Sequence, residues 1–376
     1  MTAGNKDSVM ALLGARPRLL AVGEPTHGSE VLLTARNELF RDLVEQEEYR
    51  TIALESDCLM GLIVDDYVTS GTGTLDEVMA RGFSHEWGAY AGNRALVSWM
   101  RDHNEARPAS GRVRFAGFDG PLEITAAASP RQALTALHTY LAGRVDAALL
   151  PCTAETLAGL LGADDGWTNP AAIRDPAQSA GRTPQARELR ILADDLVALL
   201  DMQAPHLIAA STPDEWERAR LHARTAAGLL RYHFAMADPS PGRIARICAL
   251  RDLMMAGNLR ALAERGPTLV YAHNSHLQRD RSSMNMGGQR IEWWSAGALA
   301  GDDYAFLATA IGTLRDHGVE APPSDTVEGM LDRAVVDPRD FAGGKPVPRV
   351  SPWYGYAPLD PAGLSRVDGI LYVRDA

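Results

Sequence analysis

Cysteine is scarce in this chain: three in 376 residues, at Cys58, Cys152 and Cys248. An odd number so widely spaced excludes a disulfide framework and fits reduced structural thiols. No apolar run approaches the roughly 18 residues of a spanning helix, and the first residues show no charged-then-apolar leader pattern. The expectation is a soluble cytoplasmic protein without a membrane partner. Basic residues are in deficit too. A net charge of −11 leaves no clustered cations for a phosphate backbone, which excludes a nucleic-acid partner. Several catalytic signatures are also missing. There is no serine in a G-x-S-x-G elbow, no H-E-x-x-H, no G-x-x-x-x-G-K-[ST] loop and no G-x-G-x-x-G after a strand. A covalent serine mechanism and a nucleotide site are thereby disfavoured, and no cofactor is expected. The partner that fits is a small molecule.

What is present is a set of short apolar runs with reactive residues at their ends. Residues 18–23, 51–55, 112–118, 268–272, 304–310 and 369–373 read as core strands of a mostly parallel sheet. Glu24, Glu55, Asp119 and His273 sit at or just past the ends of the first four. Open α/β sheets place ligands at that edge, so distant segments are expected to assemble one site there. Helical patterns cover 130–148, 186–204, 213–237 and 242–264. Thr212-Pro213-Asp214-Glu215 supplies a cap, a proline and early acids. The organisation expected is a first part of an α/β core over 1–124, a mostly helical insertion over 125–240, and the rest of the core with an irregular C-terminal wrap over 241–376.

The most informative segment is Leu19–Arg36. Glu24 and His27 lie three residues apart on the turn that leads from the first strand into a helix, where they can exchange protons. In that helix Leu32, Leu33, Leu39, Phe40 and Leu43 form an apolar stripe, with Asn37, Glu38, Arg41 and Glu45 opposite. Arg36 falls within the stripe. A buried arginine cannot discharge itself and demands partners, for which Glu24 and Glu55 are the nearest candidates. Tyr271-Ala272-His273-Asn274-Ser275-His276 places two histidines just past another strand, able to polarise a carbonyl, donate a proton or bind a metal. The helix at 242–264 repeats the anomaly, with Arg251 and Asn258 on its apolar side. They make either a structural hydrogen-bond network or a support for the site. Phe83, Trp87 and Trp99, like Trp293-Trp294, suit a pocket wall or the core.

These residues resemble the erythromycin esterase family. The resemblance rests on Gly23-Glu24-Pro25-Thr26-His27-Gly28 with Glu30 and Arg36, then Glu55, Trp99-x-Arg101-x-x-Asn104 and Gly117-Phe118-Asp119. It continues through Arg251-Asp252-x-x-Met255-Ala256-x-Asn258 and His273-Asn274-x-His276, spanning about residues 18–280 in order. It implies an α/β core with added helices and hydrolysis of a macrolide lactone. Carried over by position, His27 is the base that activates water, and Glu24, Arg36, Glu55, His273 and His276 complete the catalytic set. Asp119, Arg251, Asn258 and Asn274 bind substrate or support that set. His273 or His276 would stabilise the oxyanion or protonate the leaving alcohol, and Arg36 would keep the acids ionised. Three other readings stay open: a biosynthetic dehydration, elimination or cyclisation on the same residues, a non-catalytic binding protein, and a zinc hydrolase. The Arg36 charge argues against the last, and no metal is expected.

Overall fold

The computed structural model describes residues 4–123, 126–286, 288–341 and 343–376. It divides into two compact units, residues 1–118 with 259–376, and residues 119–258. The first unit is organised on a seven-stranded sheet. Its strands are β1 (Leu19–Glu24), β2 (Thr51–Asp57) and β3 (Arg114–Asp119), the last ending at the unit boundary. After a short hairpin, β4 (Leu122–Glu123) and β5 (Ala126–Ala127), comes β6 (Thr268–His273). The hairpin β7 (Arg281–Met286) and β8 (Gln289–Trp294) follows, then β9 (Tyr304–Thr313), β10 (Val335–Val336) and β11 (Gly369–Asp375). The order across the sheet is β10-β11-β9-β1-β6-β2-β3. β1 is parallel to both β6 and β9, β2 is parallel to β6, and β11 to β9. The edge strand β10 runs antiparallel to β11. The mixed α/β fold with a mostly parallel sheet and flanking helices is the one the apolar runs imply.

These segments become central strands because they are apolar on both faces: all six residues of β1 and all ten of β9 are buried. Helix Glu30–Gln46 covers one face. Leu33, Leu39, Phe40 and Leu43 share a hydrophobic cluster with Leu20, Val22, Ile52, Leu54 and Leu269. Each such side chain contributes about 1.5–3 kcal/mol on burial. The helix begins where Ser29 caps the Leu32 amide and Glu30 accepts from the Ala91 and Gly92 amides, both at 2.8 Å. One assignment on its helical wheel is overturned. Asn37, expected on the solvent side, is 4% exposed. The helix is buried on a second side by helix Ala91–Glu105, where the Asn37 amide donates to the Gly92 carbonyl at 2.8 Å.

The second unit is built mainly from helices Arg131–Ala142, Ala154–Leu161, Pro184–Met202 and Pro213–Met236. The capping box read at Thr212–Glu215 is formed in full. Residues 164–182 are wound into short 3₁₀ turns. Among the described residues no helix is long and apolar enough to cross a membrane.

Candidate active site

Parallel pairing brings three strand ends side by side. β1 and β6 are in register with Glu24 opposite His273. β2 pairs Leu54 with Tyr271, so Glu55 emerges at the same edge. The chain must pass closely there, which explains Gly23. A Cβ on it would lie 2.0 Å from Asn274 Oδ1. That amide is fixed between the Thr309 carbonyl (3.0 Å) and the Thr309 amide (3.2 Å), anchoring the start of helix Asn274–Leu277. Gly28, at φ +79°, turns the chain into helix Glu30–Gln46, with no room for a Cβ beside the Tyr90 hydroxyl.

Glu24 is 1% exposed and uses both oxygens. Oε1 lies 2.7 Å from His27 Nδ1, and Oε2 accepts the Tyr271 hydroxyl at 2.6 Å. An ionised Glu24 accepts the Nδ1 proton, a tautomer assigned from this partner, and leaves Nε2 as the basic nitrogen of His27. The His27 side chain is 45% exposed, so solvent reaches an imidazole whose other side is held by a buried acid. Its ring lies 5.5 Å from that of Trp87 and 5.2 Å from that of His273, centroid to centroid. Trp87 is therefore a wall of this site, one of the two roles its sequence neighbourhood allowed. It is presented by two consecutive left-handed residues, His85 (φ +56°) and Glu86 (φ +59°). Ser84, bonded to Ser56 and the Asp57 amide, anchors that strained turn.

Glu55 is also buried. Its Oε2 accepts the His273 amide at 2.8 Å and its Oε1 lies 3.4 Å from His276 Nε2. The His273 ring is oriented differently. Nδ1 accepts from the Ser275 amide at 3.2 Å and lies 2.7 Å from the Ser275 hydroxyl. Burial, and then the neighbouring His27, push its pKa down to about 3, against opposing effects of Glu55 and a hydrogen bond to Pro25. His273 is thus a neutral ring at physiological pH. Beside it a cavity of about 390 Å³ is lined by His273, Asn274, Ser275, Gln278, Phe306 and Leu359, among others.

Arg36 is buried at 2% exposure, as its helical angle requires, but the expected carboxylate pairs are not formed. Its Nε and Nη2 donate to Asn37 Oδ1 at 3.1 and 2.7 Å, its guanidinium lies 5.0 Å from the Tyr271 ring centroid, and Nη1 has no hydrogen-bond partner among the described residues. Burial lowers its pKa; Tyr271, Glu24 and Glu30 act in the opposite direction. The reason is geometric. Tyr271 occupies the Glu24 oxygen that a guanidinium would otherwise take. Tyr271 is the site residue that sequence reading passes over, since inside an apolar strand it reads as core.

The remaining candidates lie in the second unit. Arg251 forks onto Asp119, Nη2 to Oδ2 at 2.6 Å and Nε to Oδ1 at 3.1 Å, and Asn258 accepts from Arg224 Nε at 2.6 Å. These bonds form the structural network that was one of the two roles open to Arg251 and Asn258. In the first unit Trp99 packs edge-on against Phe40, and Asn104 binds the backbone of Val68 and Val113. Among the described residues, no three His, Cys, Asp or Glu side chains are grouped to hold a metal ion.

A buried carboxylate holding a half-exposed imidazole thus lies at the carboxyl edge of the parallel sheet. The sequence profile of the erythromycin esterase family matches residues 44–366, and the chain belongs to that family. Solved structures share its fold. A succinoglycan biosynthesis protein superposes with a TM-score of 0.71 at 15% identity, covering 100% of this chain and 92% of its own. A Bacillus cereus protein gives 0.70 at 19%, with the same coverage of 100% and 92%. A histidine-to-asparagine mutant of the erythromycin esterase EreC, in its open conformation, gives 0.67 at 18%, covering 100% and 95%.

Proposed function

We propose that this protein hydrolyses an ester or lactone of a natural product, with His27 as the general base. Family and fold support hydrolase-type chemistry. The observation that carries the finer reading is the chain Tyr271–Glu24–His27, with contacts of 2.6 and 2.7 Å, ending in a half-exposed imidazole. His27 Nε2 takes a proton from water as the oxygen attacks the carbonyl, and Glu24 stabilises the imidazolium that forms. The tetrahedral oxyanion then collapses, the ester C–O bond breaks, and the leaving alcohol takes up a proton. His276, beside the Glu55 carboxylate, suits that donor role. His273 suits it less, since a ring whose pKa is pushed down to about 3 is neutral at neutral pH and its remaining N–H is a very weak acid. It serves as a neutral wall that spares His27 a charged neighbour.

A second reading retains the site and changes the reaction to a biosynthetic dehydration, elimination or cyclisation. Its support is the fold shared with a protein named for succinoglycan biosynthesis. Mass spectrometry of products from a panel of macrolides, lactones and simple esters in ¹⁸O-water separates the two. Hydrolysis gives a product that has gained one labelled water. A product that has lost water, or an isomer without label, establishes the second reading instead.

A further inference from the structure

The buried Arg36 and the buried Glu24 do not touch, and what stands between them is Tyr271. The guanidinium lies 5.0 Å from the ring centroid, and the hydroxyl donates to Glu24 Oε2 at 2.6 Å. Glu24 Oε1 in turn holds His27 Nδ1 at 2.7 Å. We infer that Tyr271 is a positioning residue that couples the Arg36 charge to Glu24 and sets the proton affinity of the Glu24–His27 pair. The inference rests on His27 being the base, and its test needs no substrate.

Three features carry it. First, Tyr271 is 2% exposed and its hydroxyl donates its single proton to Glu24. Burial and the adjacent Glu24 raise its pKa well above the ordinary tyrosine range, which keeps that proton in place at every working pH. Second, a direct Arg36–Glu24 fork would neutralise the carboxylate and weaken its hold on an imidazolium. The phenol acts as a spacer that transmits polarisation and withholds the ion pair. Third, Arg36 Nη1 is buried without a partner, so the guanidinium is held by Asn37 and by the face of this ring. A leucine or phenylalanine at 271 would satisfy the packing of β6 equally well. The hydroxyl is explained only by Glu24.

The test is the titration of His27 in ¹⁵N-histidine-labelled full-length protein by NMR, with its signals assigned by their loss in His27→Gln. Tyr271→Phe keeps the ring over which Arg36 lies and removes only the hydroxyl. Losing a donor to the carboxylate raises the proton affinity of the pair wherever the proton resides. The midpoint should therefore move up by about one to two pH units, the size expected of a hydrogen bond to a charged group. In a Glu24→Gln background the same substitution should move it by less than about a third of that, because the effect runs through Glu24. An unmoved midpoint in Tyr271→Phe, or an equal shift in both backgrounds, overturns the inference. Should Tyr271→Phe not fold, the wild-type Tyr271 ¹³Cζ signal, recognised by its displacement in Glu24→Gln, carries the test. It should shift in step with His27 across the titration, and a signal flat through that range overturns the inference. A protein that shows the shift yet hydrolyses nothing retains this coupling and loses the hydrolase reading.

Discussion

Two buried carboxylates, one in each unit, have been given opposite neighbours. Asp119 is fully buried and gripped by Arg251 through two parallel N–H···O bonds. Glu24 is as deeply buried, yet its partners are a phenol and a half-exposed imidazole, and the nearby Arg36 is turned to Asn37. A guanidinium fork satisfies a carboxylate and ends its chemistry. A phenol on one oxygen and an imidazole on the other leave the charge free to respond when His27 takes a proton. The difference lies in neutralisation: Asp119 is both hydrogen-bonded and paired with a guanidinium, Glu24 is hydrogen-bonded without one.

The comparison breaks first at His27. His27→Ala should lower kcat by about 10²–10⁴-fold, the usual worth of a general base. It should leave the melting temperature nearly unchanged, since the side chain is 45% exposed. A kcat loss under about tenfold would remove His27 from the base role. Arg251→Leu should do the reverse in kind. It strands the fully buried Asp119, costing about 3–5 kcal/mol of stability by denaturant titration. A variant as stable as wild type would show that the fork is not structural.

Arg36 should fall between these. Arg36→Leu leaves Glu24 with both hydrogen bonds, so its stability cost should be smaller than that of Arg251→Leu. Losing the nearby charge should still depress kcat by about tenfold, a factor worth about 1.4 kcal/mol. Arg36→Lys should recover part of it, since the charge returns without the planar fork. Equal stability losses for Arg36→Leu and Arg251→Leu would erase the distinction between the two sites.

A further effect concerns pH. His273 has a folded pKa of about 3, below its ordinary 6.5. Between those values the unfolded chain binds the proton and the folded one does not, so His273 contributes stability that is complete above about pH 6.5 and is lost progressively as pH falls towards 3. His222 in the other unit, pushed down to about 4 chiefly by burial, adds to the same trend. Melting temperatures of His273→Gln from pH 7 to pH 4 should fall less steeply than those of the wild type. Parallel curves would refute a neutral His273.

Much of this is legible in the sequence. All six apolar runs form strands of the central sheet, most plainly β1 and β9, whose residues are buried throughout. The burial of Arg36 follows from one helical angle, whereas its partner does not. That depends on Tyr271, more than two hundred residues away, whose hydroxyl carries no signature within an apolar run. Asn37 was misplaced for a related reason: a helical wheel knows one buried face, and helix Glu30–Gln46 is covered on two. The hairpin β7–β8 escaped because five of the six residues of β7 are exposed, so no inward face alternates with an outward one. The metal question is decided elsewhere than in the pattern. Elemental analysis of purified protein should find no stoichiometric metal, given the Arg36 charge behind the acids, and about one zinc per chain with chelator-sensitive turnover would contradict this.

The central claim is that Glu24, hydrogen-bonded to Tyr271 but not ion-paired to Arg36, is the partner through which His27 would act as the base. Glu24→Gln is nearly isosteric but removes the charge and one of the two acceptor oxygens, so it cannot accept from both the Tyr271 hydroxyl and His27 Nδ1. Steady-state kinetics of this variant, on whichever ester the wild type turns over, should show kcat reduced by about 10²-fold or more, as expected when an imidazolium loses its carboxylate. Unchanged turnover in a folded Glu24→Gln protein would contradict the account.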